Sequence, residues 1–138
     1  MERGNIILSS LDAKRIRQYI EEAKQKGTLN DFTIQRLVYE INMAEIREPD
    51  KIPNNIVTMN SEINFSFINL KKQGKIKIVY PNEADVKKGR ISIFSPIANV
   101  LLGHKEGDII EWIGPMGEMN IQIEKIVYQP EAAGHFDL

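Results

Sequence analysis

The sequence has no cysteine, only two histidines and a single tryptophan among its 138 residues. The absence of cysteine excludes disulfide bonds, thiolate nucleophiles and zinc sites with cysteine ligands. His104 and His135 are far apart in the chain, and neither lies at metal-ligand spacing from a carboxylate or from the other histidine. We therefore predict no metal site and no cofactor.

The chain also lacks a long apolar run. The longest one near its start covers residues 6–8, which follow Glu2 and Arg3 and are too few for a signal-peptide core or a membrane span. This predicts a cytoplasmic protein with no membrane partner. Hydrophobic residues at 42% and charged residues at 27% are typical of a folded globular domain.

Neither sign of charge dominates the sequence. Lys and Arg number 18 against 19 Asp and Glu, for a net charge of -1, and the two signs nearly balance both before and after Pro53. Neither half has the basic excess that is typical of nucleic-acid-binding domains. We predict that nucleic acid is reached only indirectly, through a protein partner, and we expect a monomer.

The first third of the chain has the periodicity of helices. Two apolar stripes with the spacing of one helix face are separated by a short glycine-containing segment, residues 26–30. Ser9 and Asp12 have the spacing of a capping box at the start of the first helix. Two helices joined by such a turn predict an antiparallel helical hairpin, a short coiled coil, over residues 1–49. The stripes consist of Ile16, Tyr19, Ile20 and Ala23, and of Ile34, Leu37, Val38, Ile41 and Ala44.

A linker is predicted at residues 50–55, and a second domain at residues 56–138. Pro49 and Pro53 end the helical pattern, because proline lacks a backbone N–H and disfavours helix in the residue before it. Beyond the linker the hydrophobic period changes from 3.6 to 2, which indicates strands.

Two antiparallel strand pairs account for most of this second part. Residues 63–67 and 76–80 alternate on either side of a predicted turn at 71–74, and residues 108–113 and 119–128 form the second pair. A change of phase in the last strand predicts a bulge near Lys125.

One short helix is expected between the two strand pairs. Ser95 supplies its N-cap, Pro96 its first residue and Gly103 its end. The pattern as a whole predicts an α+β protein with one short helix packed on an antiparallel sheet.

Residue types with catalytic chemistry form no recognisable motif. Residues 103–107 are bracketed by glycine but lack the Gly-Lys-Ser/Thr ending of a phosphate-binding loop, and no serine lies in a nucleophile elbow. Trp112 is able to form the floor of an aromatic pocket. A lone tryptophan on a strand is more often part of the core or of a covered sheet face.

Acidic residues near the turn between the helices leave a second possibility open. Asp31 together with Glu21 or Glu22 has the oxygen ligands that a divalent cation prefers, and such a cation assists phosphodiester hydrolysis. Lys24 and Lys26 lie nearer the turn and oppose a cation there, so a solvated helix end is the favoured interpretation.

Several segments resemble a known protein family. Residues 89–98, with the sequence GRISIFSPIA, and the Leu-Leu-Gly at 101–103 resemble the C-terminal domain of the GreA/GreB transcription elongation factors. Residues 57–61, 79–81 and 128–134 resemble the branch of that family known as the regulators of nucleoside diphosphate kinase, or Rnk. A short N-terminal hairpin fits this branch too, so the resemblance covers nearly the whole chain with separate motifs in the correct order.

The resemblance implies a fold and a partner. It implies an FKBP-like C-terminal domain and binding to RNA polymerase near its secondary channel. In Gre factors the loop with the Ser-Pro pair contacts the polymerase, which corresponds here to Ser95 and Pro96. Phe94 precedes them where Gre factors often have Asp or Asn, and we expect Phe94, Ser95 and Pro96 to form the contact.

The hairpin tip differs from that of the Gre cleavage factors. Those proteins present acidic residues at the end of a long arm, whereas the arm here is short. Its tip consists of Gly27, Thr28, Leu29 and Asn30, with Asp31 alone adjacent. The resemblance therefore implies a polymerase-binding transcription regulator that is not an enzyme and does not itself stimulate transcript cleavage.

Three alternatives remain open from the sequence. The first is a true cleavage factor that uses Asp31 with Glu21 or Glu22. The second is a prolyl isomerase that uses the sheet around Trp112, and the third is an adaptor for a different protein.

Overall fold

Two helices follow a short first strand in the computed structural model, which describes residues 6–28, 30–114 and 117–136. Strand β1 (Ile7–Ser9) leads directly into α1 (Ser10–Lys26), and α2 (Asp31–Met43) leads to β2 (Glu45–Arg47). Strands β1 and β2 pair in parallel, so the chain enters and leaves the helical segment at one place.

The ends of both helices are capped by local hydrogen bonds. The Ser9 hydroxyl accepts a hydrogen bond from the Asp12 N–H at 3.0 Å, so Ser9 is the N-cap of α1 as predicted, but the Asp12 carboxylate bonds Met59 and Tyr80 and does not complete the capping box. The Asn30 side chain does the same for the Thr33 N–H at 2.8 Å at the start of α2.

The five-stranded sheet has the order β5-β4-β3-β7-β6. Its strands are, in chain order, β3 (Glu62–Phe67), β4 (Lys72–Val79), β5 (Arg90–Ser92), β6 (Ile109–Gly114) and β7 (Gly117–Tyr128). Helix α3 (Pro96–Leu101) connects β5 to β6, and α4 (Pro130–Ala133) follows β7. Four short 3₁₀ turns lie at Pro49–Lys51, Ile68–Leu70, Pro81–Glu83 and Val86–Lys88.

The pairing differs from the predicted all-antiparallel sheet at one edge. Strand β5 lies parallel to β4, because the chain crosses over between them through two of the 3₁₀ turns. The predicted bulge is confirmed: the register of β3 against β7 passes from Asn64–Lys125 to Phe65–Ile123 and leaves Glu124 unpaired.

The turn predicted at 71–74 lies three residues earlier. The chain reverses through Ile68–Leu70 and Lys71, which has a left-handed φ of 51°. Gly74 is instead paired inside β4 opposite Phe65, and a Cβ at Gly74 would lie 2.6 Å from Phe65 Cζ. The glycine therefore makes room for an aromatic ring and does not form the turn.

One hydrophobic core includes both helices and the sheet. All residues of the two predicted stripes except Ala23 pack in or against the same cluster as Met59, Ile63 and Ile121, and Ala13 of α1 joins them. The division into residues 1–49, 50–55 and 56–138 stays a prediction. Within the described residues, no helix combines the length and the apolar character that crossing a membrane requires.

Candidate functional site

The predicted contact residues Phe94, Ser95 and Pro96 form a tight turn between β5 and α3. The turn is anchored by Ile93, which is fully buried and donates its N–H to the Val79 carbonyl at 2.9 Å. The Phe94 N–H then bonds the Ser92 hydroxyl at 3.1 Å, and the Ser95 N–H bonds the Ser92 carbonyl at 2.9 Å. The three residues are thus held in one defined conformation.

Exposure differs across this turn. Phe94 is half-buried against the core, Ser95 is half-buried, and Pro96 is exposed at the first turn of α3. Ser95 occupies the N-cap position, as predicted, but its hydroxyl makes no capping hydrogen bond. The turn therefore presents a hydroxyl and a proline ring on a rigid base.

The turn between α1 and α2 is closed by backbone hydrogen bonds. Gly27 has a left-handed φ of 64°, and its N–H and that of Thr28 bond the carbonyls of Lys24 and Ala23 at 3.3 and 3.1 Å. This is the Schellman pattern that ends many helices. Gly27, Thr28, Asn30 and Asp31 are all exposed, and Leu29 lies outside the described residues.

The other acidic residues near this turn are paired with lysines. Glu21 lies 3.5 Å from the Lys24 ammonium, and Glu22 lies 2.9 Å from that of Lys26. The described part of the chain contains no group of three His, Asp or Glu side chains placed to hold a metal ion. The two carboxylates that precede the turn therefore already have cationic partners.

Trp112 lies on strand β6 of the sheet. It is half-buried and stacks on Phe67 with ring centroids 6.3 Å apart, against the core. This matches the covered sheet face that is the commoner setting for a lone tryptophan.

A buried carboxylate joins α1 to the sheet, and sequence reasoning missed it. Asp12 is only 4% exposed. Its Oδ2 accepts a hydrogen bond from the Met59 N–H at 3.1 Å, and its Oδ1 accepts one from the Tyr80 hydroxyl at 3.3 Å. The Tyr80 ring in turn stacks on Tyr19 of α1 at 5.2 Å.

The sequence did contain a signal for the burial of Asp12. The spacing from Ser9 that indicated a helix cap concealed this second role. Asp12 also lies one turn before Ile16, on the apolar stripe of α1, and residues on that stripe face the core.

Burial raises the pKa of Asp12 to about 7, because the ionised carboxylate is desolvated there. The negative charge of Glu131 raises this pKa further, whereas hydrogen bonds from Met59, Tyr80 and Ser9 lower it. Glu131 belongs to α4 and accepts a hydrogen bond from the Thr58 hydroxyl at 2.8 Å. Burial likewise raises the pKa of Tyr80, which keeps its hydroxyl protonated as a donor.

Comparison with known proteins identifies the class to which this fold belongs. The family model for the C-terminal part of the transcription elongation factors GreA/GreB matches residues 52–128. The chain belongs to the GreA/GreB family, which confirms the resemblance found in the sequence.

A particular relative is similar over almost the full length. The regulator of nucleoside diphosphate kinase of Escherichia coli (strain K12) is 31% identical across 99% of this chain and 98% of its own length. GreA of Hyphomonas neptunium is 30% identical across 94% of this chain and 85% of its own. The structure of a GreA/GreB factor from Nitrosomonas europaea is 34% identical, with a TM-score of 0.73 over 90% of this chain and 100% of its own.

Proposed function

We propose that this chain is a transcription regulator that binds RNA polymerase near its secondary channel and does not itself stimulate transcript cleavage. The observation that carries the proposal is the rigid turn of Phe94, Ser95 and Pro96. A contact site held on ordered elements loses little conformational entropy on binding. The similarity to GreA/GreB elongation factors supports the choice of polymerase as the partner.

The proposal extends to the architecture. Helices α1 and α2 act as a short antiparallel hairpin arm, with its tip at residues 27–31, and the sheet with α3 acts as an FKBP-like polymerase-binding domain. Helix α1 has 17 residues, which corresponds to a length of about 26 Å at 1.5 Å per residue. An arm of this length occupies the entrance of a channel more readily than its far end.

The charges at the arm support a role without cleavage. Delivery of a divalent cation to a scissile phosphodiester needs several free oxygen ligands. Glu21 and Glu22 are engaged with Lys24 and Lys26, which leaves Asp31 as the acidic residue of the tip. On this proposal the protein acts by occupying a site and is not an enzyme.

The docking turn is tested by measuring binding of core RNA polymerase to wild-type protein and to Pro96→Ala. Loss of an exposed anchoring ring at an interface typically costs about 1 kcal/mol or more, so we expect the affinity to fall about fivefold to tenfold. Pro49→Ala is the matched control, because Pro49 also begins a short helical turn, Pro49–Lys51, but lies outside the contact turn. Equal affinity of all three proteins would contradict docking through this turn.

The absence of cleavage activity is tested separately with stalled elongation complexes. We expect the wild-type protein not to stimulate transcript shortening and to displace a Gre factor that does. Stimulated cleavage that disappears in Asp31→Ala would show that the chain is a cleavage factor. A proline-peptide assay with Trp112→Phe tests the isomerase alternative, for which we expect no turnover above the uncatalysed rate.

A further inference from the structure

Charge is strongly segregated along the second half of the sequence, although the halves of the chain are balanced. Residues 71–90 contain seven Lys and Arg residues against two acidic residues, for a net charge of +5. Residues 106–124 contain five acidic residues and no Lys or Arg. The basic residues are Lys71, Lys72, Lys75, Lys77, Lys87, Lys88 and Arg90.

The sheet order places these two segments at opposite edges. The basic segment supplies β4 and β5, and the acidic segment supplies β6 and much of β7, in a sheet ordered β5-β4-β3-β7-β6. A chain with a net charge of -1 therefore has one positive edge and one negative edge. Such separation produces a local field that attracts anions to the β4–β5 edge.

The positive charges lie together on this edge. Ile76 and Ile78 of β4 face the core, so Lys75 and Lys77 project from the opposite face. Lys77 is paired directly with Arg90 of β5. The turn Val86–Lys88 is folded against the start of β5, since its flanking Asp85 and Arg90 exchange backbone hydrogen bonds at 2.9 and 3.0 Å.

These cations have no anionic partner within the described chain. None of the seven side chains forms an ion pair or a hydrogen bond with another described residue, even though Glu62 lies opposite Lys77 in the register of β3. Like charges placed directly opposite across strands, as in Lys77 and Arg90, destabilise a sheet. A destabilising pair of like charges that no internal ion pair offsets is typical of a functional surface.

The composition of the edge fits a phosphate backbone better than a protein. Protein interfaces are enriched in aromatic residues at their centre and depleted in lysine, whereas six of these seven residues are lysine. Lysine has a compact point charge that is suited to phosphate, and phosphate contacts carry no sequence information. The pair of strands and the turn beside it bring the cations to one edge of the sheet, along which a phosphate backbone is able to run.

Polar side chains accompany the cations. Asn64 is half-buried and paired opposite Lys75, and the exposed Gln73 lies on the same face of the sheet, opposite the buried Ser66. A depression of about 350 Å³ next to them is lined by Asn64, Phe65, Gln73, Gly74, Lys75 and Glu124. Side-chain amides at such a place are able to bond a ribose 2′-hydroxyl, which is the group that distinguishes RNA from DNA.

We propose that the β4–β5 edge binds the backbone of single-stranded RNA directly, with little dependence on its sequence. This contact goes beyond polymerase docking and does not require it. The near balance of Lys and Arg with Asp and Glu in each half of the chain predicts that nucleic acid is reached only through a protein partner. That balance does not show that the basic and acidic segments of the second half lie on different strands.

The test measures anisotropy of a fluorescent single-stranded RNA with the full chain between 50 and 200 mM salt, without polymerase. We expect the triple variant Lys75→Glu, Lys87→Glu, Lys88→Glu to bind at least about tenfold more weakly at low salt. Loss of three phosphate contacts lowers the slope of log affinity against log salt by about 2, at roughly 0.7 per contact.

The matched control is Lys14→Glu, Lys51→Glu, Lys105→Glu, which changes the net charge equally at three exposed positions outside this edge. We expect this control to retain most of the affinity, and circular dichroism verifies that both variants are folded. Equal loss in the two triple variants overturns the proposal, since binding then depends on total charge. Failure of the wild type to bind RNA at 50 mM salt, tighter binding of duplex DNA of the same length, or retention of a polyglutamate peptide in place of RNA also overturns it.

Discussion

Asp12 has two roles that a single residue seldom combines. Its backbone N–H is capped by Ser9, while its carboxylate is buried between α1, Met59 and Tyr80. The pKa of the buried carboxyl is about 7, against an ordinary value of 3.8, so the folded state holds this proton more tightly than the unfolded state. The contribution of Asp12 to the free energy of unfolding is therefore highest below about pH 4 and falls as the pH rises towards 7.

Asp12→Asn is expected to remove this pH dependence. The difference of about three pKa units corresponds to roughly 4 kcal/mol between pH 4 and pH 8. The amide retains an oxygen that accepts from the Met59 N–H and has no charge to desolvate. Urea unfolding across this pH range is the measurement, and the curve of the variant is compared with that of wild type.

The control for Asp12 is Asp50→Asn, at an exposed carboxylate in the turn Pro49–Lys51. We expect this variant to keep the wild-type pH dependence. If Asp12→Asn and wild type lost stability in parallel between pH 4 and pH 8, the buried carboxylate would not be the source of the effect.

At the scale of elements, one glycine allows the loop after α3 to approach the start of β1 closely. Gly103 follows α3 with a φ of 83°, and a Cβ there would lie 2.6 Å from the Cβ of Ile6. Its carbonyl accepts from the Ile7 N–H at 3.2 Å, and its N–H donates to the Val57 carbonyl at 2.8 Å. The start of β1 is thereby fixed against the loop after α3.

Gly103→Ala is expected to destabilise the protein by about 2 to 4 kcal/mol, from the left-handed backbone and from overpacking against Ile6. Gly107→Ala is the matched control, because Gly107 has a φ of 92° and a Cβ there would meet no atom of a non-neighbouring residue within 4 Å. The difference between the two variants in thermal unfolding isolates the close approach to Ile6. Equal destabilisation would mean that only the backbone conformation matters.

Sequence patterns predict elements better than the contacts between them. The N-cap positions of Ser9 and Ser95 and the bulge in β7 follow from residue types and from phase, which are local properties. The turn before β4 lies earlier than predicted because Gly74 is paired opposite Phe65 inside the sheet, where it makes room for the aromatic ring. The sequence alone does not show which residues are paired across strands. The parallel position of β5 and the buried role of Asp12 escape prediction for the same reason.

At the scale of the whole molecule, the C-terminal segment and the first helix are electrostatically coupled. Glu131 in α4 raises the pKa of Asp12 in α1, although the two residues are far apart in the sequence. The Thr58 hydroxyl, which donates to Glu131, holds α4 beside the segment that contains Met59. Removal of the charge of Glu131, near the end of the chain, is therefore expected to change the pKa of Asp12, near its start.

Glu131→Gln is expected to lower the pKa of Asp12 below its wild-type value of about 7, because the repelling charge is removed. The glutamine oxygen still accepts from Thr58, so packing is retained. Carbon-13 NMR titration of the Asp12 carboxyl measures the effect, with Glu124→Gln on β7 as an exposed control. An Asp12 titration unchanged by Glu131→Gln would exclude the coupling.

The Gln129 side chain has a consequence for how the chain comes apart. Its amide nitrogen donates to the carbonyls of Pro53 and Ile56 at 2.8 and 2.7 Å, which joins the segment before β3 to the segment after β7. In a chain without cysteine, this amide joins two segments that are far apart in the sequence, but unlike a disulfide it places no constraint on the unfolded chain. Loss of this contact frees both segments, so a proteolytic cut near Gln129 is expected to increase the exposure of the segment at Pro53 as well.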